Sequence, residues 1–361
     1  MNVERKPRVL GLSRQPRPGP TLDIRVSEAS EVLMSLFLMT GELDFDTYDL
    51  PSERLEAIRT SGIPGGLQAE IDELIAGSEV VAVLVGLVAE LEGPLDLPSL
   101  VEHIRSLPAL EIQLQMLGYY QHEVPDSPPE LIRAAAEGDE DAARRLIEAA
   151  QKHPEWVPEL SRLLELGPER IKELIVSILP AWCRDVWPKF GVEMGALEEE
   201  ADARRAQSAN LGIEKLIEVA TNGFDYAPDP RDRRILLMPS KVLSPWMVYL
   251  EHKDQKVICY PAAEPSTDPG VMSQAQLARF YKALGDEGRL SVLRRLAEGP
   301  LSLQEAAEFM GVAKSTAHHH LGLLRHAGLV LIKEEKGDKT WSLRRDLLPQ
   351  AGDLLNSFLG S

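Results

Sequence analysis

The chain has 361 residues and carries 57 acidic against 39 basic side chains, a net charge of −18. That balance excludes a protein that coats nucleic acid through bulk charge, and two cysteines exclude a disulfide-stapled scaffold. At 44% hydrophobic it can bury one large core or two smaller ones, and no apolar run is long enough for a bilayer span.

Residues 1–20 hold Pro7, Pro16, Pro18, Pro20 and five basic groups against one acid, the pattern of a flexible basic arm. Such an arm either touches DNA or is simply a solvated terminus. Leu22, Ile24 and Val26 alternate as in a short strand, and a helix is expected over about 28–40. From there to about residue 222 the pattern is helical almost throughout, broken by proline and glycine. Val80–Ala89 is apolar on every side, which predicts a buried central helix. Arg234–Ser240, Trp246–Leu250 and Lys256–Tyr260 read as three strands of a β meander, with Lys253-Asp254-Gln255 as a turn. Residues 21–270 are therefore expected to form a mainly helical regulatory domain ending in that meander and a linker.

Chemistry is hard to find in this front part. It has no phosphate-cradling glycine loop, no GxSxG, no HExxH and no CxxC, so no enzyme and no cofactor are expected. Histidines 103, 122, 153 and 252 are scattered. Cys183, beside Trp182 and Arg184, is either a redox thiol or a structural one. With no secretory segment in view, reduced cytoplasmic thiols are expected for both cysteines. Trp156, Trp182, Trp187 and Trp246 either line an apolar ligand pocket or form ordinary core.

The last ninety residues are more explicit. Ser302 and Glu305 have capping-box spacing ahead of Ala306, Ala307, Phe309 and Met310, and Gly311 stops that helix. Lys314-Ser315-Thr316 opens the next helix, and Gly328 closes it. At 100° per residue, Ala317, Leu321 and Leu324 share one face. Ser315, His319, Gly322 and His326 share the opposite face, flanked by Thr316 and His318. Small polar and imidazole groups on an outward face suit base edges and phosphates. The runs Leu329–Lys333 and Thr340–Leu343 then form a hairpin whose tip holds Lys336 and Lys339, placed either on DNA phosphates or in solvent. This order of elements is a winged helix-turn-helix.

Residues 273–345 resemble the ArsR-type family of bacterial winged-helix repressors. The likeness rests on Lys282-Ala283-Leu284-Gly285-Asp286 with Gly288-Arg289-Leu290, on Ser315-Thr316-Ala317-His318-His319-His320-Leu321, and on Leu324-Arg325-His326-Ala327-Gly328-Leu329-Val330. It implies a homodimer on a palindromic operator of double-stranded DNA, released by an effector, with Ser315, Thr316, His318 and His319 at the DNA. The chain departs from metal-sensing members, since residues 302–310 hold no cysteine and 346–361 hold neither cysteine nor histidine. The run His318-His319-His320 splays around a helix and cannot close on one ion. No metal site is expected.

Leu277, Phe280, Tyr281 and Leu284 form one apolar stripe, and Leu347, Ala351, Leu354, Leu355 and Phe358 another. A module of this size cannot easily bury both, so they are the expected dimerisation surface, unless one stripe packs on the front domain. Residues 271–361 carry 12 Lys+Arg against 10 Asp+Glu, a net of +2, which leaves −20 on residues 1–270. An acidic front domain should be held away from phosphates. The expected protein is mainly α, with a multi-helical front domain, a small β meander and a C-terminal winged helix-turn-helix over 271–361. Its expected role is a cytoplasmic DNA-binding repressor modulated by an unknown effector, with no membrane contact. The alternative is an adaptor whose winged helix binds a protein.

Overall fold

The computed structural model describes residues 19–41, 43–75, 79–118, 127–151, 156–226, 232–262, 274–335, 338–345, 354–356 and 358. Residues 1–18 of the predicted basic arm, Lys336, Leu347 and Ala351 lie outside them, as do His122 and His153.

The chain opens with strand β1 (Thr21–Ile24) and then enters a long helical passage. Its helices are α1 (Glu28–Thr40), α2 (Ser52–Ala57), α3 (Gly65–Leu74), α4 (Glu79–Val88), α5 (Leu97–Ser106), α6 (Ala109–Gly118), α7 (Pro129–Ala136), α8 (Glu140–Ala150), α9 (Val157–Asp185), α10 (Met194–Ser208) and α11 (Ile213–Ala220). Their starts are set locally. Ser27, Asp96 and Asp139 cap α1, α5 and α8 by accepting amide hydrogens of the first turn. Within α9 the helix kinks at Gly167, whose φ of 70° precedes Pro168. The apolar α4 is central as expected: Val80, Val81, Val83, Leu84, Val85, Leu87 and Val88 are all buried.

Strands β2 (Phe224–Asp225), β3 (Arg234–Ser240), β4 (Val248–His252) and β5 (Gln255–Pro261) follow. The three predicted strands exist, but they do not form a meander. The sheet order is β1-β3-β5-β4, with β1, β3 and β5 parallel and only β4 antiparallel to its neighbour. The run Val257-Ile258-Cys259-Tyr260 is fully buried, so β5 takes an inner position and β4 is left at the edge. The whole helical passage is thus a crossover connecting β1 to its neighbour β3.

The C-terminal module comprises α12 (Gln274–Leu284), α13 (Glu287–Leu296), β6 (Leu301–Ser302), α14 (Leu303–Met310), α15 (Lys314–His326), β7 (Val330–Glu335) and β8 (Asp338–Leu343). Its sheet has the order β2-β7-β8-β6, so the front part contributes β2 to the wing. One apolar cluster crosses between the two parts, joining Ile217, Phe224, Ile235 and Tyr260 to Phe280, Val292, Leu321 and Trp341. A second cluster fills the helical domain.

Candidate nucleic-acid interface

The helix-turn-helix is built as its sequence dictates. Asp286 caps α13 by accepting the Arg289 amide at 2.8 Å. Ser302 and Glu305 form the capping box that starts α14, the Glu305 amide donating to Ser302 Oγ at 3.2 Å and the Ser302 amide to Glu305 Oε2 at 2.7 Å. Gly311 ends α14 in the left-handed conformation, with φ 67°. On α15, Ala317, Leu321 and Leu324 are fully buried. Lys314, Ser315, Thr316 and His318 are exposed at its N-terminal half, and Lys339 is exposed on β8. The wing leans on the helix through Trp341, whose ring centroid lies 6.1 Å from that of His318.

The outward face expected for α15 does not hold along its length. Gly322 and His326 are buried, and His319 is half-buried. Trp246, from the segment between β3 and β4, covers them. Its ring centroid lies 4.3 Å from that of His326 in an edge-on arrangement and 6.2 Å from that of His319. The indole sits so close to the helix backbone that a Cβ on Gly322 would stand 2.3 Å from Trp246 Cζ3. Glycine is therefore required here by the close approach of a ring. Helical periodicity located the face correctly, but nothing in it could name the residue that covers the face. His326 is held well below the ordinary imidazole range by burial and then by Arg325, Arg279 and His319.

Gly322→Ala is expected to force Trp246 off the helix. Alanine favours helix by about 1 kcal/mol over glycine, but the clash removes a docked aromatic ring. Amide hydrogen exchange over 314–326 should quicken, and unchanged exchange would contradict the close approach.

The front part also grips the far end of α15. Arg325 donates from Nη1 to the Thr221 carbonyl at 2.9 Å, and Asn222 Nδ2 donates to the His326 carbonyl at 2.6 Å. The Ile332 amide donates to the Gly223 carbonyl at 2.8 Å, where β2 runs parallel to β7. Gly223 has φ 118°, and a Cβ there would lie 2.9 Å from the Val330 carbonyl oxygen. Burial lowers the Arg325 guanidinium to about 10. The acidic front domain is thus not held away from α15 but packed against it.

The expected dimerisation stripe divides. Leu277 and Phe280 are buried within the single chain, so they offer no surface to a second copy. Leu284 and Leu354 are half-buried, packed against the shared cluster, whereas Tyr281, Leu355 and Phe358 are exposed.

Other sequence-flagged residues are structural. Trp182 is fully buried and donates from Nε1 to Ser35 Oγ at 2.8 Å, while Trp187 stacks on Phe190. Burial, reinforced by Glu28, raises the Cys183 thiol above its ordinary value, the opposite of a redox cysteine. Burial pushes the Cys259 thiol up to about 12. His103 and His252, distant in sequence, meet on one carboxylate, with their Nε2 atoms 3.1 and 2.6 Å from Glu90. Among the described residues, no group of three or more His, Cys, Asp or Glu is arranged to hold a metal ion.

Residues 284–332 match the family model of a helix-turn-helix domain. Over 71 residues the chain is 39% identical to YceK of Bacillus subtilis (strain 168), an uncharacterized HTH-type transcriptional regulator; the likeness covers 19% of this chain and 71% of that protein. The chain belongs to the HTH-type transcriptional regulators. It is also 37% identical over 67 residues to the HTH-type transcriptional regulator NmtR of Mycobacterium tuberculosis (strain ATCC 25618 / H37Rv), across 19% of this chain and 56% of that protein. No solved structure matches the chain. Both relatives are named as transcriptional regulators, and each likeness covers 19% of this chain. Among its described residues no helix is long and apolar enough to cross a membrane.

Proposed function

We propose that this HTH-type regulator is a cytoplasmic, homodimeric repressor of the ArsR type that binds a palindromic operator in double-stranded DNA. An effector acting on the helical front domain modulates it. The observation that carries the reading is the exposed N-terminal half of α15, with Lys314, Ser315, Thr316 and His318 open to solvent and the exposed wing residue Lys339 near enough to act on the His318 imidazole. The N-terminal residues of a recognition helix are the ones that reach base edges in the major groove. Residues 311–345 hold seven basic against three acidic groups, a local excess of positive charge in an acidic chain. That polar, basic half favours DNA over the adaptor alternative, which calls for an apolar contact face. Pairing of two copies uses the exposed Tyr281, Leu355 and Phe358, with Leu284 and Leu354 at its edge.

The test is retention of fragmented genomic DNA by the purified protein, followed by sequencing. Enrichment of a short inverted repeat supports the reading. Lys314→Ala combined with Thr316→Ala, both exposed on α15, is expected to weaken that binding without changing the melting temperature. It should also lower the slope of log affinity against log salt by about one for each phosphate that is no longer neutralised. Affinity that is unchanged in the double variant, or unchanged between low and high salt, contradicts the assignment.

A further inference from the structure

The half of α15 that carries His319, Gly322 and His326 is capped by two stretches of the front domain. Trp246 lies on the helix backbone, and its Nε1 is buried with no hydrogen-bond partner among the described residues. Packing, not a polar anchor, holds the ring there. Tyr48 lies beside it, with ring centroids 6.4 Å apart, at the end of the acid-rich segment 43–49. Asp49 joins the pieces: its Oδ2 accepts from Ser244 Oγ at 2.6 Å and from Arg279 Nη1 of α12 at 3.0 Å. Asp44 and Asp46 are exposed, and Asp44 is near enough to His319 to act on its imidazole.

These positions matter because a recognition helix enters the groove with phosphates along both flanks. Carboxylates on one flank repel those phosphates, and a ring on the helix backbone fills space that the groove wall needs. The grip of Thr221, Asn222 and Gly223 is separate. It holds the C-terminal end of α15 and the wing from another side, through backbone groups and strand pairing.

We propose that segment 43–49 together with Trp246 is an autoinhibitory plug, a part of this chain that occupies the recognition helix in competition with duplex DNA. The β2–β7 pairing stays in place as the hinge when the plug leaves. The proposal rests on the DNA-binding function proposed above. It specifies how the front domain acts: apparent DNA affinity is reduced by the fraction of molecules in which the plug is seated. An effector that loosens the plug strengthens DNA binding, and one that seats it releases DNA.

The test uses the full chain as parent, Trp246→Ala and Asp49→Asn, with a labelled random-sequence DNA duplex at low salt. Melting curves check that each protein is folded. Asp49→Asn keeps the side-chain shape and serves if Trp246→Ala fails to fold. Each folded variant is expected to bind at least about tenfold more tightly than the parent, as a population shift of that size requires. Amide hydrogen exchange over 314–326 is expected to quicken in parallel. Equal affinity in parent and variants overturns the plug and leaves the DNA-binding reading standing. Faster exchange without tighter binding also overturns it. No binding by any of the three proteins overturns both.

Discussion

Glu31→Gln is expected to stabilise the protein by about 1–3 kcal/mol at pH 8 and to make little difference at pH 4. Glu31 is fully buried on α1, and burial raises its carboxyl to about 7 against the opposing hydrogen bonds of Ser240, Val242 and Lys241. Its Oε2 accepts the Lys241 and Val242 amides at 3.0 and 3.2 Å, while Oε1 has no partner among the described residues. The sign follows from proton linkage. Below about 4.5, the ordinary carboxyl value, the group is protonated whether the chain is folded or not, and it costs nothing. Between about 4.5 and 7 the unfolded chain releases the proton while the folded chain keeps it, so stability falls as pH rises. Above 7 the full cost of a buried carboxylate is present. Glutamine retains an acceptor for the two amides and removes the charge. Urea midpoints of both proteins at pH 4, 6 and 8 check this, and parallel curves would mean that the carboxylate ionises in the core at no cost.

Trp182→Ala is expected to cost about 3–5 kcal/mol, the range for removing a large aromatic from a packed core. The ring has no solvent exposure and sits among the buried residues of the helical domain. Its Nε1–H···Ser35 bond ties α9 to α1, and Ser35 Oγ donates in turn to the Val32 carbonyl at 2.7 Å. Trp182→Phe keeps most of the ring volume and loses the donor, so about 1 kcal/mol is expected. Denaturant unfolding of the three proteins separates packing from hydrogen bonding. Equal losses in the two variants would assign the effect to the hydrogen bond alone.

The parts of the fold legible in the sequence were those governed by local rules. The capping box at Ser302, the left-handed Gly311 and the buried stripe Ala317, Leu321 and Leu324 each depend on residues within a few turns. The same holds for the buried α4, whose apolar run admits no solvent face. The sheet was legible as strands but not as topology, because pairing β1 with β3 depends on residues far apart in the chain. The burial of Gly322 and His326 was illegible for the same reason. Helical spacing shows which residues share a face, yet the partner of that face is a tryptophan nearly eighty residues earlier. One signal was present: a glycine in the middle of an otherwise well-formed helix points to something lying close against the backbone. Leu277 and Phe280 are closed to a second copy because the module does not stand alone. In the folded chain the front domain supplies β2 and a share of the apolar cluster.

The crossover between β1 and β3 also fixes the order in which the chain can be completed. The Thr21 amide donates to the Arg233 carbonyl, a partner 212 residues further along. During synthesis β1 emerges early and has no neighbour to pair with until the helical passage and β3 have been made. β2 waits longer still, since its partner β7 begins at Val330. Closing contacts of such separation carries a large entropic penalty, and chains rich in them fold slowly. Most of the helical domain's core lies on its helices, with Leu236, Met238, Leu250, Val257 and Cys259 of the sheet completing it, so the helices are free to collapse first and the sheet closes over them afterwards. A ribosome-stalled fragment ending before residue 234 would then show protected helices, whereas protection of Thr21–Ile24 would wait for longer fragments.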